Sequence, residues 1–375
     1  MSLRYHFKNI LLILIFTLEI LAYSLFAVSI QKYFISHGSV DINNHTEILS
    51  FLESALPTSI VLVPFICFLT KKYHPKVLMI IVFIMCLIAY SLCILIYDVG
   101  IIYYFIIIML LLLSSRDSMF ILIGGFLLES RFYLVIFVII FFIGPQLATI
   151  VISNISVLNE NIFVFLLVSV IIICINITIL VIIDLEIENR KEKKLRYQFF
   201  FIDIFRILNN RGFIFATINF MFSLIIIILI LYLDIKSGFS TSNIYQVLII
   251  FISVLLALYF FYYHRNIVIK GVHRSLNGLI FTVIFMLFAP FNLGVIVSIT
   301  IYTIVFSLAL LSFDLLYKSM DKSRFYFYMG SFYIFFRFCL FFGLLIITLI
   351  NIYWILSLIV IVVAFLQRMF VYRNL

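Results

Sequence analysis

The chain has 375 residues, of which 66% are hydrophobic and 11% charged, with a mean hydropathy of +1.32 and a formal net charge of +9. No single soluble core hides that much apolar surface, so composition excludes a soluble globular protein and reads as a polytopic membrane protein in contact with lipid. The excess of positive charge would suggest nucleic acid in a soluble chain, but here it lies along the connections between apolar runs, and no nucleic-acid partner is expected.

Runs of about 17 to 25 apolar residues predict an all-α protein of about twelve transmembrane helices. They fall near 9–30, 49–69, 77–97, 100–123, 133–153, 162–183, 212–233, 244–263, 276–291, 293–313, 325–350 and 352–371. The first run is too long and uninterrupted for a cleaved signal peptide. Ala289-Pro290-Phe291-Asn292 is either a tight outer turn, giving twelve spans, or a kink in one re-entrant element, giving eleven; twelve fits the charges better. Of the 25 Lys and Arg residues, Lys32 and Lys236 fall in outer connections and Arg116 and Arg337 within spans, while the others sit at inner ends. By the positive-inside rule both termini are cytoplasmic, and a multi-pass protein of a bacterial cytoplasmic membrane is expected.

The inner connections are Lys71, Lys72, His74 and Lys76; Glu129 to Arg131; a long central stretch; Arg265 to Arg274; and Lys318 to Arg324. The outer connections are short except for 31–48. The central stretch, 185–211, reads LEIENRKEKKLRYQFFFIDIFRILNNR and contains an amphipathic run from Phe199 to Leu208 suited to the inner membrane surface. It divides the chain into a six-helix bundle at 1–184, a cytoplasmic linker and a second six-helix bundle at 212–375. Two such halves are the layout of transporters built from repeats.

Within this apolar background a few polar residues stand out. Glu19 lies about ten residues into the first run and Arg337 about twelve into the eleventh, or roughly 15 to 18 Å, near the middle of a hydrocarbon core. A charge there costs at least about 2.5 to 3.5 kcal/mol on insertion scales and marks a partner, a cavity or an ion path, or else a structural ion pair. Arg116 and Asp117 in the fourth span point about 100° apart, so each is expected to need its own partner or water. The five cysteines carry no ligand spacing, and the six histidines are split between the terminus, the outer loop and the basic inner connections. Without such a constellation or a GxxxxGK[ST] loop, no enzyme, metal or cofactor is expected.

Three segments carry a family resemblance. FLESALPTSIVLVPFICFLTKKYHPKVLMI, 51–80, is similar to the second span, basic inner loop and third-span start of the macrolide-efflux-like and siderophore-exporter-like branch of the major facilitator superfamily, matching at Pro57, Pro64, Lys71, Lys72 and Lys76-Val77-Leu78. The loop departs from that pattern in lacking its usual Gly and Asp. FFIGPQLATIVI, 141–152, resembles the Gly-Pro element of the export-associated signature, through Gly144, Pro145 and Ala148. Arg116, followed by Gly124 and Gly125, resembles the fourth-span arginine with its small residues.

The resemblance implies alternating access by two rocking bundles around a cavity lined by spans one, four, seven and ten, which carry Glu19, Asp117, Asn219 and Asp314. Glu19 is then the first candidate to load and release protons, and the Arg116 and Asp117 pair is either coupling or structural; a cationic partner such as Arg337 would instead keep Glu19 ionised and make it a conformational latch. Gly144 and Pro145 would bend or seal a helix face, and Lys71 and Lys72 would gate. An aromatic wall of Tyr23, Phe26, Tyr103, Tyr104 and Phe222 would suit a bulky amphipathic substrate. The expected function is export of a small amphipathic molecule, such as a drug, antibiotic, siderophore or peptide-like metabolite, by proton-coupled antiport. The alternatives are a lipid-linked-sugar flippase and a non-transporting immunity or receptor protein.

Overall fold

A computed structural model describes residues 3–36, 57–96, 102–128, 130–154, 162–183, 185, 210–237, 243–288, 294–350 and 352–373. Most of the 31–48 loop and of the 185–211 linker, the Ala289 to Asn292 segment and Glu129 lie outside these residues. In a hydrocarbon environment every backbone N–H and C=O must find its partner inside the segment, and apolar runs of this length meet that demand as helices. The described residues form twelve: α1 Leu3–Ser36, α2 Pro57–Leu69, α3 Pro75–Ile96, α4 Ile102–Leu127, α5 Arg131–Asn154, α6 Ile162–Ile182, α7 Arg211–Ser237, α8 Asn243–His264, α9 Val268–Phe288, α10 Gly294–Ser319, α11 Phe325–Leu349 and α12 Tyr353–Arg373. Nine of them, α1, α3 and α6 through α12, are long and apolar enough over the described residues to cross a membrane.

Three boundaries differ clearly from expectation: α1 runs six residues beyond 9–30 at each end, α10 runs on to Ser319, and the start of α9 moves furthest. The span expected from 276 begins at Val268, so Lys270, His273 and Arg274 lie on α9 rather than in a loop. The reason is an amphipathic first half: Val268, Gly271, Val272, Ser275, Leu276 and Leu279 are buried at helical spacing while the cations occupy the other face. An apolar-run criterion passes over a helix of that kind.

The chain forms two compact units. The first comprises Met1–Ile204 with Asp321–Ile334, and the second Phe205–Met320 with Phe335–Leu375. In the first, α1 packs on α4, α5 and α6, and α3 on α4 and α6. Polar bonds pin the α1–α6 contact: Ser169 Oγ donates to the Ala22 carbonyl at 3.0 Å and Asn176 Nδ2 to that of Ile15 at 3.2 Å. In the second, α10 packs on α7, α8 and α9, and α12 on α7 and α9. Asn210 caps α7, its Oδ1 accepting the Phe213 amide at 3.2 Å. The one tryptophan of the chain, Trp354, opens α12 and is 60% exposed, with Tyr353 edge-on at 6.3 Å.

Lys76, at the start of α3, reaches the end of α6, donating to the carbonyls of Ile183 at 2.7 Å and Val181 at 3.2 Å. Those carbonyls lack helical partners and carry the negative end of the helix dipole, which a cation offsets by about 0.3 to 1 kcal/mol. Beside it His74 Nδ1 accepts the Lys76 amide at 3.2 Å. Partial burial and then the Lys76 charge hold the His74 pKa below the ordinary histidine value, which keeps Nδ1 available as that acceptor near neutral pH. Lys76→Met is expected to fray the last turn of α6, read as amide hydrogen exchange about two- to fivefold faster at Ile182 and Ile183. Unchanged exchange there would show that the bonds contribute nothing.

Candidate functional site

In the first unit the candidate residues converge near the middle of their helices. Glu19 lies about 24 Å from either end of α1, and Arg116 about 21 and 16 Å from the ends of α4. Glu19 is 2% exposed, and among the described residues no donor reaches its Oε2. The Arg116 charge acts on Glu19 and also on Tyr333, which belongs to the part of α11 inside the first unit. The Arg116 guanidinium lies 4.9 Å from the Tyr23 ring centroid, one turn along α1 from Glu19, and 5.9 Å from that of Phe141. Arginine on an aromatic face is stabilised when desolvated, by about 1 to 2 kcal/mol.

Asp117 is fully buried, and its Oδ1 lies 3.9 Å from Arg116 Nε. That is ion-pair range but not a hydrogen bond: neither Arg116 Nε nor Asp117 Oδ1 is satisfied by the other, as expected for neighbours that point about 100° apart. Around the charges Phe16, Phe120, Phe137 and Phe141 stack, with centroids 4.5 Å apart for Phe16 and Phe137 and 4.2 Å for Phe120 and Phe141. Water is thereby kept from one flank of the site, which strengthens the electrostatics within.

Gly144 lies where α5 meets α1. A Cβ there would come within 3.2 Å of both the Cδ1 and the Cγ2 of Ile20, the residue after Glu19, so glycine permits this close approach. Pro145 is helical in α5, and its side chain lies outside the described residues, as do those of Tyr103 and Tyr104. Lys71 lays its ammonium 3.7 Å over the Phe327 ring, and Lys72 is exposed, 5.3 Å from the Tyr73 ring. Phe26 is fully buried with Tyr90 edge-on at 5.1 Å, so within its unit it is core.

Arg337 and Asn219 belong to the second unit. Arg337, 1% exposed, lies 5.7 Å from the Phe336 ring. Asp314, near the C-terminal end of α10, pairs with Lys318 at 3.1 Å, one turn on. Asn219 Nδ2 donates to Ser312 Oγ at 3.3 Å, and Gln367 Nε2 donates to Asn219 Oδ1 at 2.8 Å. Sequence reasoning missed Ser223, Ser312 and Gln367. The signal was there: Ser223 lies one turn from Asn219, and Gln367 is the one glutamine in the last apolar run.

Long apolar helices in two units, with a buried carboxylate and arginine at mid-helix in the first, define a multi-pass helical membrane protein. No protein-family profile and no curated protein matches the sequence. Solved structures match along the whole chain, and the fold is that of the major facilitator superfamily transporters. One is the Escherichia coli fucose:proton symporter FucP, at a TM-score of 0.72 and 13% identity over 99% of both chains. FucP in the outward conformation gives 0.74 and 14%, again over 99% of each chain. The human organic anion transporter MFSD10 (TETRAN) gives 0.70 and 11%, over 99% of this chain and 100% of that one.

Proposed function

We propose that this chain is a secondary active transporter of a bacterial cytoplasmic membrane, exporting a small amphipathic compound by alternating access in antiport with protons. Its working halves are 1–184 and 212–375, joined by a cytoplasmic linker at 185–211, with both termini in the cytoplasm. The observation that carries this reading is Glu19: a carboxyl held mid-helix at 2% exposure, with an oxygen that no donor reaches among the described residues, next to a cation on α4. A site of that kind is costly to fold and is retained where a proton must be taken up and released. Arg116, Asp117, Asn219 and Arg337 line the path or respond to the carboxyl, and Gly144, Pro145, Lys71 and Lys72 serve the switch between states.

Export follows from the Gly-Pro segment and the likeness of 51–80 to exporter sequences. Proton symport is the second reading, favoured by the printed function of FucP. Proteoliposomes carrying a pH-sensitive dye decide between them. With a panel of labelled amphipathic amines, acids and peptides, antiport moves protons against the substrate, and symport moves both together. Substrate movement with no proton movement in either direction sinks the proton reading.

A further inference from the structure

We infer that the groove between α9 and α12 of the second unit binds an anionic phospholipid, with its phosphate on Lys270 and Arg368 and one acyl chain running along α9 into an apolar cavity against α10. The charge of this unit is lopsided. Its segments, Phe205–Met320 and Phe335–Leu375, carry ten Lys and Arg but two acidic side chains, Asp234 and Asp314. Asp314 is spent on Lys318 at 3.1 Å. Asp234 is too far away: it lies about 22 Å along α7 from Asn219, which pairs with Gln367 beside Arg368. The counter-charge for the cations near Arg368 therefore has to come from outside the unit.

Lys270 and Arg368 are exposed, and among the described residues neither is in an ion pair. They meet where α9 packs on α12. The Arg368 charge acts on His273, an imidazole that offers it no negative partner. Lys270 stands one turn before His273, about 60° round the helix, so it opens on the same groove. His273 follows the first residue of α9 by about 8 Å and Arg368 precedes the last residue of α12 by the same, which puts the two at one depth. Basic grooves of this kind between membrane helices suit phospholipid headgroups.

Snorkelling asks only for cations near a helix end, but the same face of α9 also carries a place for a chain. Phe281 comes round to within about 20° of Lys270 and is 74% exposed. With Thr282, Phe285, Ile296, Val297 and Thr300 it lines a cavity of about 330 Å³. Both threonine hydroxyls turn to their own helices, Thr282 donating to the Gly278 carbonyl at 2.7 Å and Thr300 to that of Ile296 at 2.8 Å, so the wall is apolar. Phe281 and Phe285 lie about 12 and 18 Å along the axis from His273, and half a hydrocarbon core is about 15 Å, so a chain hung from the cations ends in the cavity. A neutral lipid would fill the cavity and leave the charges unmet; a soluble anion would do the reverse. On the proposed topology the lipid belongs to the cytoplasmic leaflet. The inference is independent of the proton reading at Glu19, which lies in the other unit.

The test is native mass spectrometry of the purified full-length chain in detergent, titrated with dioleoyl phosphatidylglycerol and, separately, with dioleoyl phosphatidylcholine. The wild type is expected to bind one phosphatidylglycerol about tenfold or more tightly than phosphatidylcholine. A cation near a membrane surface contributes about 1 kcal/mol to the attraction of anionic lipid, so Lys270→Gln and Arg368→Gln should each weaken that binding about fivefold. Lys72→Gln, which removes an exposed cation of the first unit, should leave it unchanged. Equal affinity for the two lipids overturns the inference with the wild type alone, so it stays falsifiable even if a variant fails to fold. Full affinity in both groove variants overturns the site. Dihexanoyl phosphatidylglycerol binding as tightly as the dioleoyl lipid, or displacement of the lipid by millimolar inorganic phosphate, would leave an anion site with no use for a chain and overturn the lipid assignment.

Discussion

Glu19→Gln is expected to abolish proton-driven substrate movement while leaving the protein as stable as the wild type or more so. The amide matches the carboxyl in shape but can neither ionise nor carry a transferable proton. Because Glu19 is 2% exposed and no donor among the described residues reaches its Oε2, the amide loses little that the carboxyl had. Buried ionisable groups are often neutral or favourable to replace, so the change in unfolding free energy should stay within about 1 kcal/mol. Proton-driven accumulation should fall about tenfold or more, at least about 1.4 kcal/mol in the coupled step. Substrate exchange without a gradient should survive. A variant that melts much earlier yet still accumulates substrate under a proton gradient would make Glu19 a packing residue and end its role in coupling.

The second large effect falls at Gly271, where α9 crosses α8 and α10. A Cβ at this position would come within 2.8 Å of His264 Cβ and 2.9 Å of Leu311 Cδ1. His264 cannot give way easily. It is 2% exposed, Arg274 donates to its Nε2 at 2.8 Å, and the remaining ring proton on Nδ1 goes to the Phe260 carbonyl at 3.0 Å. Gly271→Ala therefore either displaces the helix or breaks a bond at both ring nitrogens, a cost of about 1 to 3 kcal/mol. Tm should drop by about 2 to 4 °C for each kcal/mol. Arg274→Met should lower it too, by leaving Nε2 unmet. An alanine variant that melts with the wild type would show that α9 slides freely over α8.

The helices were legible because a membrane enforces one rule on every span, enough apolar residues and no unmet backbone group. Where a helix begins outside that rule it was hidden: the first turns of α9 carry Lys270, His273 and Arg274, and only the buried stripe from Val268 to Leu279 reveals them. Glu19, Arg116, Asp117 and Asn219 announce themselves as polar residues in apolar runs, so the candidates within each unit could be read. Its partnerships could not. The pairing of Gln367 with Asn219, or of Lys76 with the end of α6, joins helices far apart in the chain, and no spacing along one helix encodes which face meets which.

Trp354 gives the chain a built-in optical probe. As the one indole, it makes the ultraviolet emission of the whole protein report on one point at the head of α12, about 20 Å along that helix from Gln367. A ligand that moves α12 as a rod shifts the colour of that emission, whereas one that leaves α12 in place leaves it unchanged.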